Sequence, residues 1–294
     1  MVTGWADSWS LEATCPNSLL TIKPQVFVFA TGARERPCPA RLIPGDRPAG
    51  VFATGQLQNV VHVHKQNVGK RAVIVGAELI SWSAAMTLME AGCKTEALVT
   101  EYPRGESDSV FKLGGSLFFR AKILTSTKVV RIIGKSHATG VEVEDVRGVR
   151  RVIDCDTVVF TGAWIPDNKL LRARGVEIDP AHLGPVADQA MHTSARGIFT
   201  VGNVNHPVET ADVVALVGEF AAKQVLAYLA GVPMAERSVR IHAADPIRWV
   251  TPGEYVPGSK LPRDRLVAWI DTFKTLPTVV VHQGGKIIAR QRLA

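Results

Sequence analysis

The stretch of residues 71–101 constrains the fold more than any other part of the chain. Residues 71–75 are a short β-branched run, which is typical of a buried parallel strand. Small and apolar side chains then recur at helical spacing over residues 81–89, until Gly92 provides a left-handed cap, and residues 95–100 predict a returning strand. The stretch therefore predicts a βαβ unit, whose helix N-terminus points at whatever lies above the sheet.

A βαβ unit of this kind normally binds a dinucleotide through a G-x-G-x-x-G turn, from which this sequence departs. Gly76 holds the first position, but Glu78 stands at the second and Ser81 at the third. The glutamate adds bulk and negative charge where phosphate oxygens would lie. Glu101 is placed to accept a hydrogen bond from a ribose hydroxyl, and a solvated carboxylate at a strand end explains it equally well. We expect a nucleotide-binding scaffold whose NAD(P) site is weak or lost.

Length and composition exclude several classes of protein. The 294 residues exceed the usual size of one domain, so two domains are expected. The sequence contains no apolar run long enough to cross a bilayer and no signal peptide, which predicts a cytoplasmic protein. The net charge of +7 is dispersed rather than gathered in one stripe, and this argues against nucleic-acid binding.

Neither cysteine nor histidine spacing predicts a metal site. The four cysteines are widely scattered without a C-x-x-C pair, so neither zinc nor a redox-active disulfide is indicated. His62 and His64 would share one face of a strand, but no carboxylate or cysteine stands close to them in sequence. A solvated or packed histidine pair is the interpretation that we favour.

Two further segments have the form of a strand that ends at a cofactor. The apolar residues 25–30 lead into Thr31-Gly32-Ala33, a small-residue turn whose backbone N–H groups suit a phosphate or the edge of a flavin. Residues 156–160 lead into Thr161-Gly162 in the same way. Two similar closing segments predict two similar nucleotide-binding halves, one inserted into the other.

A third apolar strand, at residues 197–201, ends in Gly202-Asn203 and precedes a predicted helix over residues 211–229. The start of this helix would present unpaired N–H groups and partial positive charge to a ligand. Gly202 permits close approach of a ligand, and Asn203 is able to bond a chain of hydroxyl groups. Glu209, Thr210 and Asp212 stand where a substrate or flavin could be reached, and helix capping explains Thr210 and Asp212 equally well. The candidate cofactor contacts of this region are Gly202, Asn203, Thr210 and Ala211.

As an ordered set, these segments resemble the FAD-dependent pyridine nucleotide-disulfide oxidoreductase superfamily. Within it the chain is similar to the disulfide-lacking branch that includes the large subunits of opine, sarcosine and cyanide-forming glycine oxidases. The resemblance covers roughly residues 1–231. It rests on A-T-G at residues 30–32 with the following R-P and I-P-G, on G-A-E-L-I-S at 76–81, on Thr161-Gly162 with Pro166, and on G-I-F-T-V-G-N at 197–203.

The resemblance implies an α/β fold with two three-layer, Rossmann-like dinucleotide-binding domains. Residues 1–58 and 166–232 would form an incomplete FAD-binding domain, and residues 59–165 an inserted NAD(P)-binding-like domain. Residues 233–294 would form a small β-rich region, which we expect to dock against a second copy or another subunit.

The resemblance also implies FAD as the cofactor. In the family, residues that match Thr31 and Gly32 lie near FAD, the pair that matches Gly202 and Asn203 contacts its pyrophosphate and ribityl chain, and the next helix lies near the isoalloxazine. The chain departs from the family in two respects besides Glu78. Asn203 replaces an acidic residue, and the family's N-terminal FAD motif has no counterpart.

The function expected from the resemblance is oxidation of a small amine-type substrate by hydride transfer to flavin, either by this chain or by a complex that contains it. No residue stands out in the sequence as a catalytic base. The alternatives are a non-catalytic structural subunit, or a truncated fragment of such a flavoprotein, that binds nucleotide weakly or not at all.

Overall fold

The computed structural model describes residues 1–107, 109–234 and 238–293. The chain forms two compact units. The first unit consists of residues 1–32 and 166–294, and the second unit consists of residues 33–165. The α/β fold predicted from the sequence is confirmed. Which cofactor each predicted domain binds stays a prediction.

The described residues contain the following helices: α1 (Thr54–Gln58), α2 (Leu79–Glu90), α3 (Ser109–Phe119), α4 (Lys169–Ala173) and α5 (Ala211–Leu229). Short 3₁₀ turns occur at Cys38–Arg41, Gly202–Val204 and Pro262–Asp264, and a π-helical turn at Asn59–Val63. Among the helices of the described residues, none combines the length and the apolar character that crossing a bilayer requires.

The strands up to residue 166 are β1 (Val2–Trp5), β2 (Leu11–Cys15), β3 (Ser18–Ile22), β4 (Phe27–Phe29), β5 (Ala33–Arg34), β6 (Val51–Ala53), β7 (Arg71–Val75), β8 (Lys94–Val99), β9 (Lys122–Leu124), β10 (Thr127–Ile133), β11 (Gly140–Asp145), β12 (Arg150–Asp154), β13 (Thr157–Phe160) and β14 (Ile165–Pro166). Those that follow are β15 (Ile198–Thr200), β16 (Val239–Arg240), β17 (Ile247–Thr251), β18 (Glu254–Tyr255), β19 (Val267–Ile270), β20 (Thr278–Gln283) and β21 (Lys286–Arg292).

A five-stranded parallel sheet forms the centre of the second unit. Its strand order is β6-β13-β7-β8-β9, and every neighbouring pair is parallel. The predicted βαβ unit is confirmed as β7, α2 and β8, and Gly92 has the left-handed φ of +70° expected after the helix. The chain winds away from β7 in one direction through β8 and β9, and β13 lies on its other side. Open α/β sheets bind ligands above the carboxyl ends of strands at such a switch point.

Alternate side chains along these strands pack into buried clusters on opposite faces of the sheet. Ala72 and Ile74 belong to a buried cluster with Leu88 of α2, whereas Val73 belongs to a second cluster with Val141 of β11. β11 is the middle strand of the antiparallel sheet β10-β11-β12. The second unit therefore has three layers, in which helices cover one face of the parallel sheet and an antiparallel sheet covers the other.

In the first unit, β4 and β15 are paired in parallel although they are distant in sequence. Phe27 and Phe29 join Ile198 in one buried cluster, and Phe199 joins Ala221 of α5 in another. The pairing continues past the strands, because the backbone N–H of residue 201 donates to the carbonyl of residue 29 at 3.0 Å. The segments that follow the two strands therefore leave the sheet side by side.

The predicted β-rich region is present in the described residues from 238 onward, while residues 235–237 and 294 lie outside them. It contains the antiparallel pairs β16–β18 and β17–β19 and a terminal hairpin of β20 and β21. Almost all side chains of this terminal hairpin are exposed. Its role in docking stays a prediction.

Two predictions of local structure are wrong. The pattern from Trp5 to Ala13 predicts one strand, but a turn separates β1 from β2 there, because the Asp7 carboxylate accepts hydrogen bonds from Trp9 N–H at 2.7 Å and from the Ser10 hydroxyl at 2.9 Å. The segment with His62 is helical rather than extended. The two histidines of the H-x-H pattern therefore do not share one face of a strand.

Candidate functional site

The predicted turn at Thr31-Gly32 is held in place at the carboxyl end of β4. The Thr31 hydroxyl donates to the carbonyl of Asp167 at 2.7 Å, and the Asp167 N–H donates to the Gly32 carbonyl at 2.9 Å. Gly32 has a φ of +73° and open space where a side chain would stand. Ala33 is partly buried. The turn is therefore rigid but leaves Gly32 open to a close approach.

Gly202 and Asn203 follow β15 and lie next to that turn. Gly202 has a φ of +74°, and a β-carbon there would stand 3.0 Å from Val214 of α5. The Asn203 side-chain oxygen accepts from the Glu209 N–H at 2.8 Å, and its amide nitrogen donates to the Glu209 carbonyl at 3.4 Å. Asn203 thus fixes the loop that leads into α5. Its predicted contact with a hydroxyl chain stays a prediction.

The start of α5 completes this group of predicted residues. Thr210 is the N-cap, but its side chain does not cap the first turn, which begins at Ala211. The first-turn N–H groups of a helix lack intrahelical partners and carry partial positive charge. A hydrogen bond from the Thr210 hydroxyl holds the pKa of Asp212 below its usual value. The first unit therefore brings the ends of β4 and β15 and the start of α5 to one edge of a sheet.

The second unit brings Gly76, Thr161 and Gly162 together at the switch point between β7 and β13. The Thr161 N–H donates to the Val75 carbonyl at 3.0 Å, and its hydroxyl lies 2.9 Å from the Ser81 hydroxyl. Gly76 has a φ of +138°, and a β-carbon there would collide with the Thr161 hydroxyl. Glu101 is exposed at the end of β8. The structure thus brings Gly76, Thr161 and Gly162 together around a crevice at this switch point, and dinucleotide binding there stays a prediction.

The Glu78 side chain occupies this crevice. A β-carbon on Gly162 would stand 2.7 Å from Glu78 Oε1, and a β-carbon on Gly76 would stand 2.8 Å from Oε2. Glu78 is also the N-cap of α2, where a pyrophosphate would meet the helix N-terminus. Its Oε1 atom is buried and has no hydrogen-bond partner among the described residues. Burial raises the pKa of Glu78.

Arg41, which was not predicted from the sequence, hydrogen-bonds to the backbone that forms the same crevice. Its guanidinium donates to the carbonyls of Thr161 at 2.7 Å and Gly162 at 2.9 Å, and to that of Arg36 at 2.8 Å. It also lies over the Phe160 ring, 5.1 Å from the centroid. Burial lowers the pKa of Arg41, and the nearby Glu78 carboxylate opposes that shift. The only signal in the sequence was a third arginine in the proline-rich turn after Gly32.

Glu106 is a second carboxylate at this crevice. Its N–H donates to the Ala77 carbonyl at 3.0 Å, so the segment after β8 folds over the turn between β7 and α2. Burial and then the charge of Glu78 raise the pKa of Glu106 to about 7, while a bond from the Thr100 hydroxyl opposes the shift. The acidic side chains of Glu78 and Glu106 therefore lie where the phosphate groups of a dinucleotide would be bound.

Comparison with known proteins identifies the family. The family model described as pyridine nucleotide-disulphide oxidoreductase matches residues 10–218. The chain belongs to the pyridine nucleotide-disulphide oxidoreductase family. The four cysteines of this member are free, and three of them are buried.

Curated relatives match at low identity. An opine oxidase subunit of Agrobacterium tumefaciens (strain Ach5) is 23% identical over 322 residues, which covers 97% of this chain and 62% of the relative. The ferredoxin–NAD(+) reductase subunit of the benzene 1,2-dioxygenase system of Pseudomonas putida is 30% identical over 193 residues, which covers 63% of this chain and 44% of the relative. The chain thus spans between about half and two thirds of the length of the opine oxidase subunits that it matches.

Solved structures support the predicted fold class. Thioredoxin reductase of T. acidophilum superposes with a TM-score of 0.61 at 18% identity, over 78% of this chain and 72% of that one. A FAD-dependent pyridine nucleotide-disulphide oxidoreductase from Desulfovibrio vulgaris gives 0.55 at 22% identity, over 79% of this chain and 60% of that one. The cofactor named for the Desulfovibrio vulgaris protein, FAD, is the one that the sequence of this chain predicts.

Replacement of Glu106 by Gln is expected to change how stability depends on pH. Because the pKa of Glu106 is higher in the folded than in the unfolded chain, the folded chain binds more protons between about pH 4.5 and 7, and its stability falls as the pH rises through that window. Glu106 is only half-buried, so solvent screening limits this loss to about 1–2 kcal/mol. Urea unfolding of Glu106→Gln at pH 4.5 and 7.5 should show a smaller fall than the wild type.

The surface variant Glu219→Gln controls for the loss of one carboxylate and should keep the wild-type difference between the two pH values. If Glu106→Gln also keeps that difference, burial of Glu106 does not contribute to the pH dependence.

Proposed function

We propose that this chain is the flavin-binding part of an oxidoreductase that takes a hydride from a small amine-type substrate. The observation that carries the proposal is the arrangement in the first unit, where Thr31-Gly32 and Gly202-Asn203 leave adjacent parallel strands beside the start of α5. The amine-type substrate and the place in a larger complex are supported by the opine oxidase subunits among the relatives. The branch predicted from the sequence is the one that contains such subunits.

The residues of the first unit fit the flavin and ribityl half of FAD. Gly32 offers open space at the end of β4, and the first turn of α5 offers N–H groups without a side-chain cap. FAD, when bound, supplies a flavin that accepts a hydride. The protein would orient the ring through Gly202 and the start of α5. Residues 1–32, all of which are described, contain no helix, so the helix N-terminus that binds a pyrophosphate is not formed by them.

The second unit keeps the scaffold of a dinucleotide site, and we infer that it does not bind NAD(P) tightly. Glu78 fills the crevice, and Glu106 adds a second acidic group beside it. A dinucleotide would have to displace the Glu78 side chain and bring its phosphates close to both carboxylates. Electrons from the flavin would then leave through a different acceptor. The contacts predicted at Gly76, Glu101, Thr161 and Gly162 belong to this weakened site.

A second candidate function is that of a structural subunit, or of a piece of a longer flavoprotein, that holds nucleotide weakly or not at all. The filled crevice at Glu78 favours it, as does the terminal hairpin of β20 and β21, whose side chains are almost all exposed. A two-stranded hairpin without a packed face is marginal in water, which suggests that another subunit or a second copy covers it.

The purified chain, mixed with FAD and passed through a desalting column, is expected to retain the visible absorption bands of flavin. Gly202→Ala should weaken FAD binding about tenfold or more, because its β-carbon would stand 3.0 Å from Val214 and displace the start of α5 at the proposed cofactor edge. Gly148→Ala is the matched control, since Gly148 also has a positive φ, +77°, but lies in open space at the tip of a hairpin. Absence of flavin bands from the wild-type chain would favour the structural-subunit candidate.

Replacement of Glu78 by Gly is expected to tighten NADH binding about tenfold or more, because it removes bulk and charge from the crevice. Glu78→Gln keeps the bulk but removes the charge, so its affinity should fall between those of the wild type and Glu78→Gly. Fluorescence titration with NADH measures all three proteins, and circular dichroism confirms their folding. Equal affinities in the three folded proteins would show that Glu78 is not what closes the site.

A further inference from the structure

A cavity of about 50 Å³ lies in the first unit, where the end of β15 and the first turns of α5 meet the C-terminal β-rich region. One water needs about 10–15 Å³ of such space, so the cavity has room for about three to five waters or a small polar molecule. The residues that carry the argument are Gly202, Asn205, His206, Glu209, Arg263 and Arg265, all of which line it. Gly202 is also a predicted flavin contact, which places the cavity next to the proposed cofactor.

Asn205 presents a buried acceptor without a donor. The residue is 7% exposed, and its side-chain amide nitrogen donates to the Thr200 carbonyl at 2.9 Å, which fixes the orientation of the amide. The amide oxygen is buried and has no partner among residues 1–107, 109–234 and 238–293. Buried acceptors in folded proteins are nearly always paired, so this oxygen, on a residue that lines the cavity, favours a donor that the described chain does not supply.

His206, the next residue along the chain, adds a second unpaired atom. Its Nδ1 is buried and likewise has no partner in the described part of the chain. Burial lowers the pKa of His206 to about 4, so the ring is neutral at pH 7. The cavity is therefore polar at this end without carrying positive charge there.

Three charged side chains around the cavity lack an ion-pair partner in the described ranges. Glu209, Arg263 and Arg265 form no ion pair with any described residue. The Asn203 side chain forms two hydrogen bonds with the backbone of Glu209. These bonds fix the position from which the Glu209 side chain extends. The cavity thus offers one carboxylate and two guanidinium groups to a ligand.

Asp188 also lines the cavity, but its carboxylate is already engaged. It accepts hydrogen bonds from the N–H groups of Ala190 at 2.8 Å and His192 at 2.9 Å, and it lies 3.1 Å from the His192 ring. Asp188 therefore forms a turn, and Glu209 is the acidic group available to a ligand.

We propose that this cavity binds a small zwitterion, an amino or imino acid with one carboxylate. Glu209 and the Asn205 amide oxygen accept hydrogen bonds from its ammonium group, and Arg263 and Arg265 bind its carboxylate. An amine without a carboxylate would leave both guanidinium groups without an anionic partner. A carboxylic acid without an ammonium group would leave Glu209 and Asn205 without a donor. The assignment rests on the proposed function, because it names the substrate class for which the flavin would be the hydride acceptor.

The test is calorimetric titration of the full chain, without and with FAD, using the zwitterions glycine and L-alanine as probes. Methylammonium, which carries only the ammonium group, and acetate, which carries only the carboxylate, are titrated for comparison. The zwitterions should bind, and methylammonium and acetate should each bind about tenfold more weakly or worse. Glu209→Gln and the double variant Arg263→Gln/Arg265→Gln should each weaken zwitterion binding about tenfold or more. Glu219→Gln is the matched control, because Glu219 is exposed on α5, where it pairs with Lys223 at 3.0 Å.

The outcomes separate this site from the flavin proposal. Zwitterion binding that is lost in Glu209→Gln and kept in Glu219→Gln supports the site, even if the chain binds no FAD, in which case only the flavin proposal fails. No heat with glycine or L-alanine in a chain that does bind FAD overturns the site alone. Equal affinities in Glu209→Gln and Glu219→Gln also overturn it.

Discussion

Parallel backbone pairing between distant segments is the constraint on which both candidate sites depend. In a parallel sheet the carboxyl ends of neighbouring strands meet at one edge, so residues far apart in sequence come together where the strands stop. The pairing of β4 with β15 does this for Thr31 and Gly202 in the first unit. The pairing of β7 with β13 does it for Gly76 and Thr161 in the second unit. Each unit therefore has one sheet edge at which the candidate residues meet.

The side chains at these edges make the two units different. In the first unit Gly32 opens onto free space, and the start of α5 keeps N–H groups without a side-chain cap. In the second unit Glu78 turns its carboxylate back against the glycines, and Arg41 holds the carbonyls behind them. A buried carboxyl oxygen without a hydrogen-bond donor is unfavourable. Burial raises the pKa of Glu78, and a hydrogen bond from Thr161 opposes that shift. The same architecture thus leaves one edge accessible and fills the other.

Local sequence patterns were sufficient for much of the fold. The β-branched run before Gly76, the helix that ends before Gly92 and the helix Ala211–Leu229 all follow from periodicity and capping, which depend on neighbouring residues. The turn at Asp7 was missed because two short hydrogen bonds decide it inside an otherwise strand-like pattern.

The candidate sites were predicted only in part, because their contacts act through space. The sequence placed Glu78 at a glycine position, but not its contact with Gly162, which depends on the β7–β13 pairing. Arg41 reaches the carbonyl of Thr161 across more than a hundred residues, and no periodic pattern encodes that contact. Likewise, the cavity near Asn205 depends on the C-terminal region, which carries no cofactor motif.

Hydrogen–deuterium exchange with and without FAD locates the cofactor along the chain, and so tests whether FAD binds at the open edge of the first unit. We expect FAD to slow amide exchange at residues 31–33 and 202–213 and to leave residues 76–81 and 161–163 unchanged. Protection centred on residues 76–81 and 161–163, or no protection in any part of the chain, would contradict it.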